Sequence, residues 1–116
     1  MAGISILHYR TLEGRFPYRE WVASIGDKAA RAAVLARVDR LTFGTFGDWK
    51  AVGEGVCELR IHLGAGYRVY FGRDGKTVVI LLCGGEKRSQ DADIRRAKRY
   101  WNDYEARKTP AGGKSR

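Results

Sequence analysis

Residues 56–71 read Val-Cys-Glu-Leu-Arg-Ile-His-Leu-Gly-Ala-Gly-Tyr-Arg-Val-Tyr-Phe, and this stretch decides the fold. Cys57, Leu59, Ile61 and Leu63 alternate with Glu58, Arg60 and His62, which is the period of a half-buried strand. After Gly64-Ala65-Gly66, a hairpin loop, Tyr67, Val69 and Phe71 alternate with Arg68 and Tyr70 in a second strand. Asp74-Gly75 marks the next hairpin turn. Thr77 to Cys83 is apolar on both faces, which predicts the most central strand of the sheet, and Gly84-Gly85 ends it.

Upstream, Ile4 to Arg10 reads as a first strand. Pro17 suits the first turn of a helix in which Tyr18, Trp21 and Ile25 recur at helical spacing, so Trp21 is assigned to the core. Gly26-Asp27 stops that helix and caps a second, whose stripe is Ala30, Val34, Val38 and Leu41, with Arg31, Arg37 and Arg40 on other faces. Phe43-Gly44 ends it, and Gly44 to Gly55 reads as a loop holding Trp49. Downstream, Ser89 is predicted to cap a last helix that buries Ile94, Ala97, Trp101 and Tyr104. The predicted order is β-α-α-β-β-β-α: one small α+β domain over residues 1–107, with a mainly antiparallel sheet packed by helices. Residues 108–116 are predicted to form a disordered basic tail.

Composition narrows the function. The 116 residues carry 22 Lys and Arg against 13 Asp and Glu, a formal net charge of +9. Such a surface seeks polyanions. No apolar run approaches the ~20 residues of a membrane helix, and the first residues do not read as a signal peptide, so the expected compartment is the cytoplasm. Cys57 and Cys83 sit in apolar runs and are expected as buried thiols rather than a disulfide. With only His8 and His62 beside them, and no metal-ligand spacing or phosphate-binding glycine motif, no metal and no cofactor are indicated.

Period-2 counting puts Glu58, Arg60, His62, Arg68 and Tyr70 on one face of adjacent strands, with Lys87 and Arg88 at the rim. Two readings stand side by side. One is a solvated sheet face of no special role. The other is an RNA-binding face, with phosphates on Arg60, Arg68, Lys87 and Arg88 and a base on Tyr70. His8 reads as structural, Trp101 and Tyr104 as core, and the charges of the last helix as a solvated face.

The blocks Glu58-Leu59-Arg60-Ile61, Gly66 to Phe71 (GYRVYF), Leu81 to Lys87 (LLCGGEK) and Gln90 to Ile94 resemble the RelE/ParE toxin superfamily, in particular its HigB-like, phage-derived addiction-module killer branch. The resemblance runs from about Ile4 to Arg107. It implies the toxin half of a type II toxin–antitoxin pair, with a helix-turn-helix, HigA-like antitoxin, the ribosome and mRNA as partners. It further implies a metal-independent endoribonuclease, an mRNA interferase acting in the ribosomal A site. ParE-like members of the same fold inhibit DNA gyrase without nuclease activity, and a non-catalytic basic nucleic-acid-binding module is a further alternative.

Cleavage of this kind is attack of a 2′-hydroxyl on its own phosphate, and it needs a base, cations around the phosphorane and an acid for the departing 5′-oxygen. The resemblance assigns Arg60 and Arg68 to the phosphate, with the Arg68 fork as the clamp, and Lys87 as acid or second charge stabiliser. His62 is the candidate base, since histidine's ordinary pKa lies nearest neutrality. Glu58 departs from the RelE pattern, which has a lysine at that strand position.

Overall fold

The computed structural model describes residues 3–114, with side chains described to residue 108. The strands are β1 (Ser5–His8), β2 (Trp49–Gly53), β3 (Val56–Ile61), β4 (Tyr67–Asp74) and β5 (Val78–Glu86). The helices are α1 (Pro17–Ser24), α2 (Lys28–Arg40) and α3 (Gln90–Lys114), with single 3-10 turns at Leu41–Phe43 and Lys87–Ser89. The five strands form one sheet in the order β1-β5-β4-β3-β2. β1 runs parallel to β5, and every other pairing is antiparallel. This is the α+β, RelE-like architecture expected, with two adjustments to its order.

The first adjustment is an added strand. Trp49–Gly53 pairs with β3, so the segment expected as a loop through Gly55 is instead the outer arm of a hairpin. Glu54 and Gly55 both take positive φ, 55° and 86°, at its tight turn. The second concerns the centre of the sheet. That place belongs to β4, while the strand predicted to hold it, β5, lies between β1 and β4 and is covered on both faces.

The start signals read from sequence for α1 and α2 act as expected. Pro17 opens α1. The Asp27 carboxylate accepts from the Ala29 and Ala30 amides, satisfying two of the orphan donors of α2. Ser89 differs: its hydroxyl donates to the Glu86 carbonyl and the Asp93 carboxylate, tying the entry of α3 to the end of β5. Lys108 pairs with Asp74 and the helical backbone continues to Lys114. The side chains of the expected tail after Lys108, and residues 115–116, lie outside the described residues.

Two apolar layers sandwich the sheet. On one face, Leu59, Ile61, Val69, Phe71, Val79 and Leu81 pack on α1 and α2 through Tyr18, Val22, Val34 and Val38. On the other, Val56, Tyr70, Ile80, Leu82 and Cys83 pack on α3 through Ala97 and Trp101. Both cysteines are free thiols, Cys83 buried and Cys57 half-buried. A register shift in the β4–β5 ladder, between Tyr70 and Phe71, turns both Leu82 and Cys83 toward α3.

Trp101 lies directly on the sheet because Gly72 makes room for it. A Cβ built at Gly72 would stand 2.3 Å from Cζ3 of the indole. Gly72→Ala is therefore expected to push the ring off the strand and cost about 1–3 kcal/mol, read as a lower urea midpoint at unchanged slope. An unchanged midpoint would show that the indole is not seated against β4.

Candidate functional site

Four of the residues singled out from sequence converge. Arg60, His62, Arg68 and Lys87 line one cleft of about 330 Å³, together with the Leu63–Gly66 loop. Register explains the meeting, because Arg60 and Arg68 are direct cross-strand partners on β3 and β4. Lys87 joins them because its main-chain N–H donates to the Gly66 carbonyl at 2.8 Å, pinning the exit of β5 to the start of β4.

Two like charges directly opposite each other on a sheet repel. Glu58 resolves the conflict. Its side chain is fully buried, two residues before Arg60 on β3. One oxygen accepts from Arg60 Nε at 3.1 Å, and the other stands 3.4 Å from Arg68 Nε. The same carboxylate accepts from the Tyr70 hydroxyl at 3.1 Å and from the Gln90 amide at 2.8 Å. Burial alone would push its pKa up. The hydrogen bonds from Gln90, Arg60 and Tyr70 and the charge of Arg68 outweigh burial and hold it below the ordinary value. Glu58 is thus an anion at neutral pH, and it orients both guanidinium groups.

Arg68 is the most enclosed of the cations, with 12% of its side chain exposed. Its Nε is buried against the Glu58 carboxylate at 3.4 Å, and its Nη1 is buried with no hydrogen-bond partner among the described residues. Buried N–H groups of a charged side chain are rarely left unpaired, which sets Nη1 apart from the other donors of the cleft.

His62 is exposed, and its Nε2 pairs closely with the Asp48 carboxylate. That hydrogen bond, ahead of the opposing effect of burial, lowers the Asp48 pKa, with the charges of His62, Arg60 and Arg37 helping. The carboxylate is therefore acceptor-only, and Nε2 carries the proton shared with it. Asp48 is itself held in place: its carbonyl accepts from the Arg60 amide at 2.9 Å. Arg37, from α2, donates to the carbonyls of Arg60 and Phe46 and so staples this loop to β3.

Three sequence expectations change here. Tyr70 is fully buried, so its ring offers no stacking platform; α3 covers the face on which it lies. Arg88 is 86% exposed, pairs with Glu86 and lies outside the cleft, in a neighbouring depression shared with Lys87 and Arg95. Arg68, read from sequence on a face either solvated or open to RNA, has only 12% of its side chain exposed. Sequence reasoning also passed over Asp48, Gln90 and the ordering role of Glu58. Only Glu58 carried a signal, a lone acid among the cations of its face. His8 accepts from Arg19 Nε and packs edge-on against Tyr18.

A basic cleft on a RelE-like sheet of a small α+β domain is what the structure presents. The family model described as "Phage derived protein Gp49-like (DUF891)" matches residues 23–102. An uncharacterized protein of Haemophilus influenzae is 48% identical over 81 residues, covering 70% of this chain and 82% of that protein. The chain belongs to the Gp49-like phage-derived family, a RelE/toxin-like family. Among the described residues no helix is long and apolar enough to cross a membrane.

Proposed function

We propose that the chain is the HigB-like toxin of a type II toxin–antitoxin system, a ribosome-dependent endoribonuclease that cuts mRNA under translation. The observation that carries this reading is the cleft in which Arg60, Arg68 and Lys87 converge while the buried Nη1 of Arg68 lacks an acceptor. A surface that only blocked another protein has no need for cations gathered around a concavity.

In this reading the scissile phosphate takes the place of the missing acceptor on Arg68. His62, held through Nε2 by Asp48, accepts the 2′-proton at Nδ1, and the 2′-oxygen attacks the phosphorus. Arg68 and Arg60 stabilise the charge that develops on the equatorial oxygens, as preorganised donors do. Lys87 gives a proton to the 5′-oxygen as the P–O5′ bond breaks, leaving a 2′,3′-cyclic phosphate and a 5′-hydroxyl. Net charge then draws the chain to the ribosome, and this attraction weakens as salt is raised. A separate antitoxin restrains the activity in trans, and its co-expression restores growth.

Primer extension on mRNA from cells induced to make the chain tests the reading. Discrete stops inside translated coding regions are expected. Intact mRNA in growth-arrested cells would overturn it in favour of a target such as gyrase.

A further inference from the structure

The sheet has a second feature that the cleft does not use. The β1–β5 register, with Ser5 N–H donating to Thr77 and Tyr9 N–H to Leu81, turns the main-chain groups of Ser5, Leu7 and Tyr9 toward β5. Ile6 and His8 therefore point theirs to the outer edge, where no strand of the described residues lies. The side chains of these same two residues line a groove of about 530 Å³ between β1 and α2. Leu35, Val38 and Leu81 make it mainly apolar, and Leu35 is 48% exposed. Tyr18 lines it too, and its hydroxyl is buried with no hydrogen-bond partner in a residue only 3% exposed. Burial pushes that hydroxyl up to about 12, so it stands there as a neutral donor.

We propose that this edge receives an extended segment of a partner protein, which pairs with Ile6 and His8 as a new outer strand and sets one apolar side chain in the groove. The alternating N–H and C=O groups of a sheet edge match another polypeptide and not a nucleic acid. A main-chain carbonyl of the incoming segment supplies the acceptor that Tyr18 lacks. Arg10 and Arg19, both exposed, stand at the His8 end, and Arg19 donates to the His8 ring at 3.1 Å. An acidic residue beside the apolar anchor is favoured there. The same charge argues against a second copy of this chain, since two molecules of +9 repel. The proposal does not depend on the nuclease reading.

Selection of a random twelve-residue peptide library on the full chain tests it, with hydrogen exchange locating the peptides that are enriched. Expected are peptides that alternate apolar and acidic residues and slow exchange at the Ile6 and His8 amides. Their affinity should fall at least tenfold for Leu35→Glu, a half-exposed position whose folding is checked by its thermal midpoint. If that variant unfolds, protection at Ile6 and His8 in the wild-type chain, weakened in Tyr18→Phe, carries the test. Failure to enrich any peptide, or peptides that protect only the Arg60–Arg68 cleft, would overturn the proposal. So would a dimer of the chain alone in which the same two amides are already protected.

Discussion

Glu58→Ala is expected to cost the fold about 3–5 kcal/mol, the usual penalty for breaking a buried ion pair from one side. The wild-type carboxylate lies between two arginines that face each other across β3 and β4. Its removal leaves Arg68 charged in a nearly closed site and strips Tyr70 and Gln90 of their acceptor. For a domain of this size, with about 5–15 kcal/mol in total, that is a large share. Glu58→Gln keeps the volume and one acceptor oxygen but not the charge, so its loss should be smaller and should grow at low salt. The pH dependence follows from the lowered pKa of Glu58. A carboxylate held below its ordinary value contributes stability that is present above about pH 4.3 and lost as pH falls through the folded value. Acid titration of the midpoint should therefore be shallower in Glu58→Gln than in wild type. Equal slopes, or an undisturbed midpoint in Glu58→Ala, would mean that the carboxylate does not order the two arginines.

The second large effect is on activity. Arg68→Lys keeps the charge beside Glu58 but replaces a planar fork by a point charge. We expect the folded variant to lose roughly 10²–10³-fold in single-turnover cleavage, the scale of removing one preorganised donor to a developing anion. Its thermal midpoint should change little, because Glu58 keeps a cation at that position. Arg68→Ala is a poorer probe, since Arg68 is largely enclosed and ion-paired and its truncation also weakens the fold. A folded Arg68→Lys chain that cleaves at the wild-type rate would remove Arg68 from the phosphate.

The sequence carried the β3–β4 and β4–β5 hairpins, the Asp27 cap and the meeting of Arg60, His62, Arg68 and Lys87, because period-2 counting orders side chains on a strand without knowledge of what lies opposite. It did not carry burial. Alternation places Glu58 and Tyr70 on one face, but only the packing of Trp101 and Ala97 decides that this face is covered. The apolar stripe of α3 needs a face to bury against, and β5 is apolar on both sides, so a covering helix was implied by residues already in view. β2 was illegible for another reason. Trp49 to Gly53 is an edge strand, largely exposed and bulged between Ala51 and Gly53, so it keeps no clean alternation. Asp48 was hidden with it. Its pairing with His62 comes from the β2–β3 hairpin and the Arg37 staple, contacts between segments far apart in sequence.

The central claim is that the Arg60–Arg68–Lys87 cleft cleaves RNA by internal attack of a 2′-hydroxyl. Its most direct test uses purified chain and ribosomes programmed with a short end-labelled mRNA, and reads the ends of the products. The account predicts a cut whose upstream fragment ends in a 2′,3′-cyclic phosphate. It also predicts that a single 2′-deoxy substitution at the scissile nucleotide abolishes that cut. An mRNA left whole on the ribosome by wild-type chain, or one cut equally well with the 2′-hydroxyl removed, would contradict it.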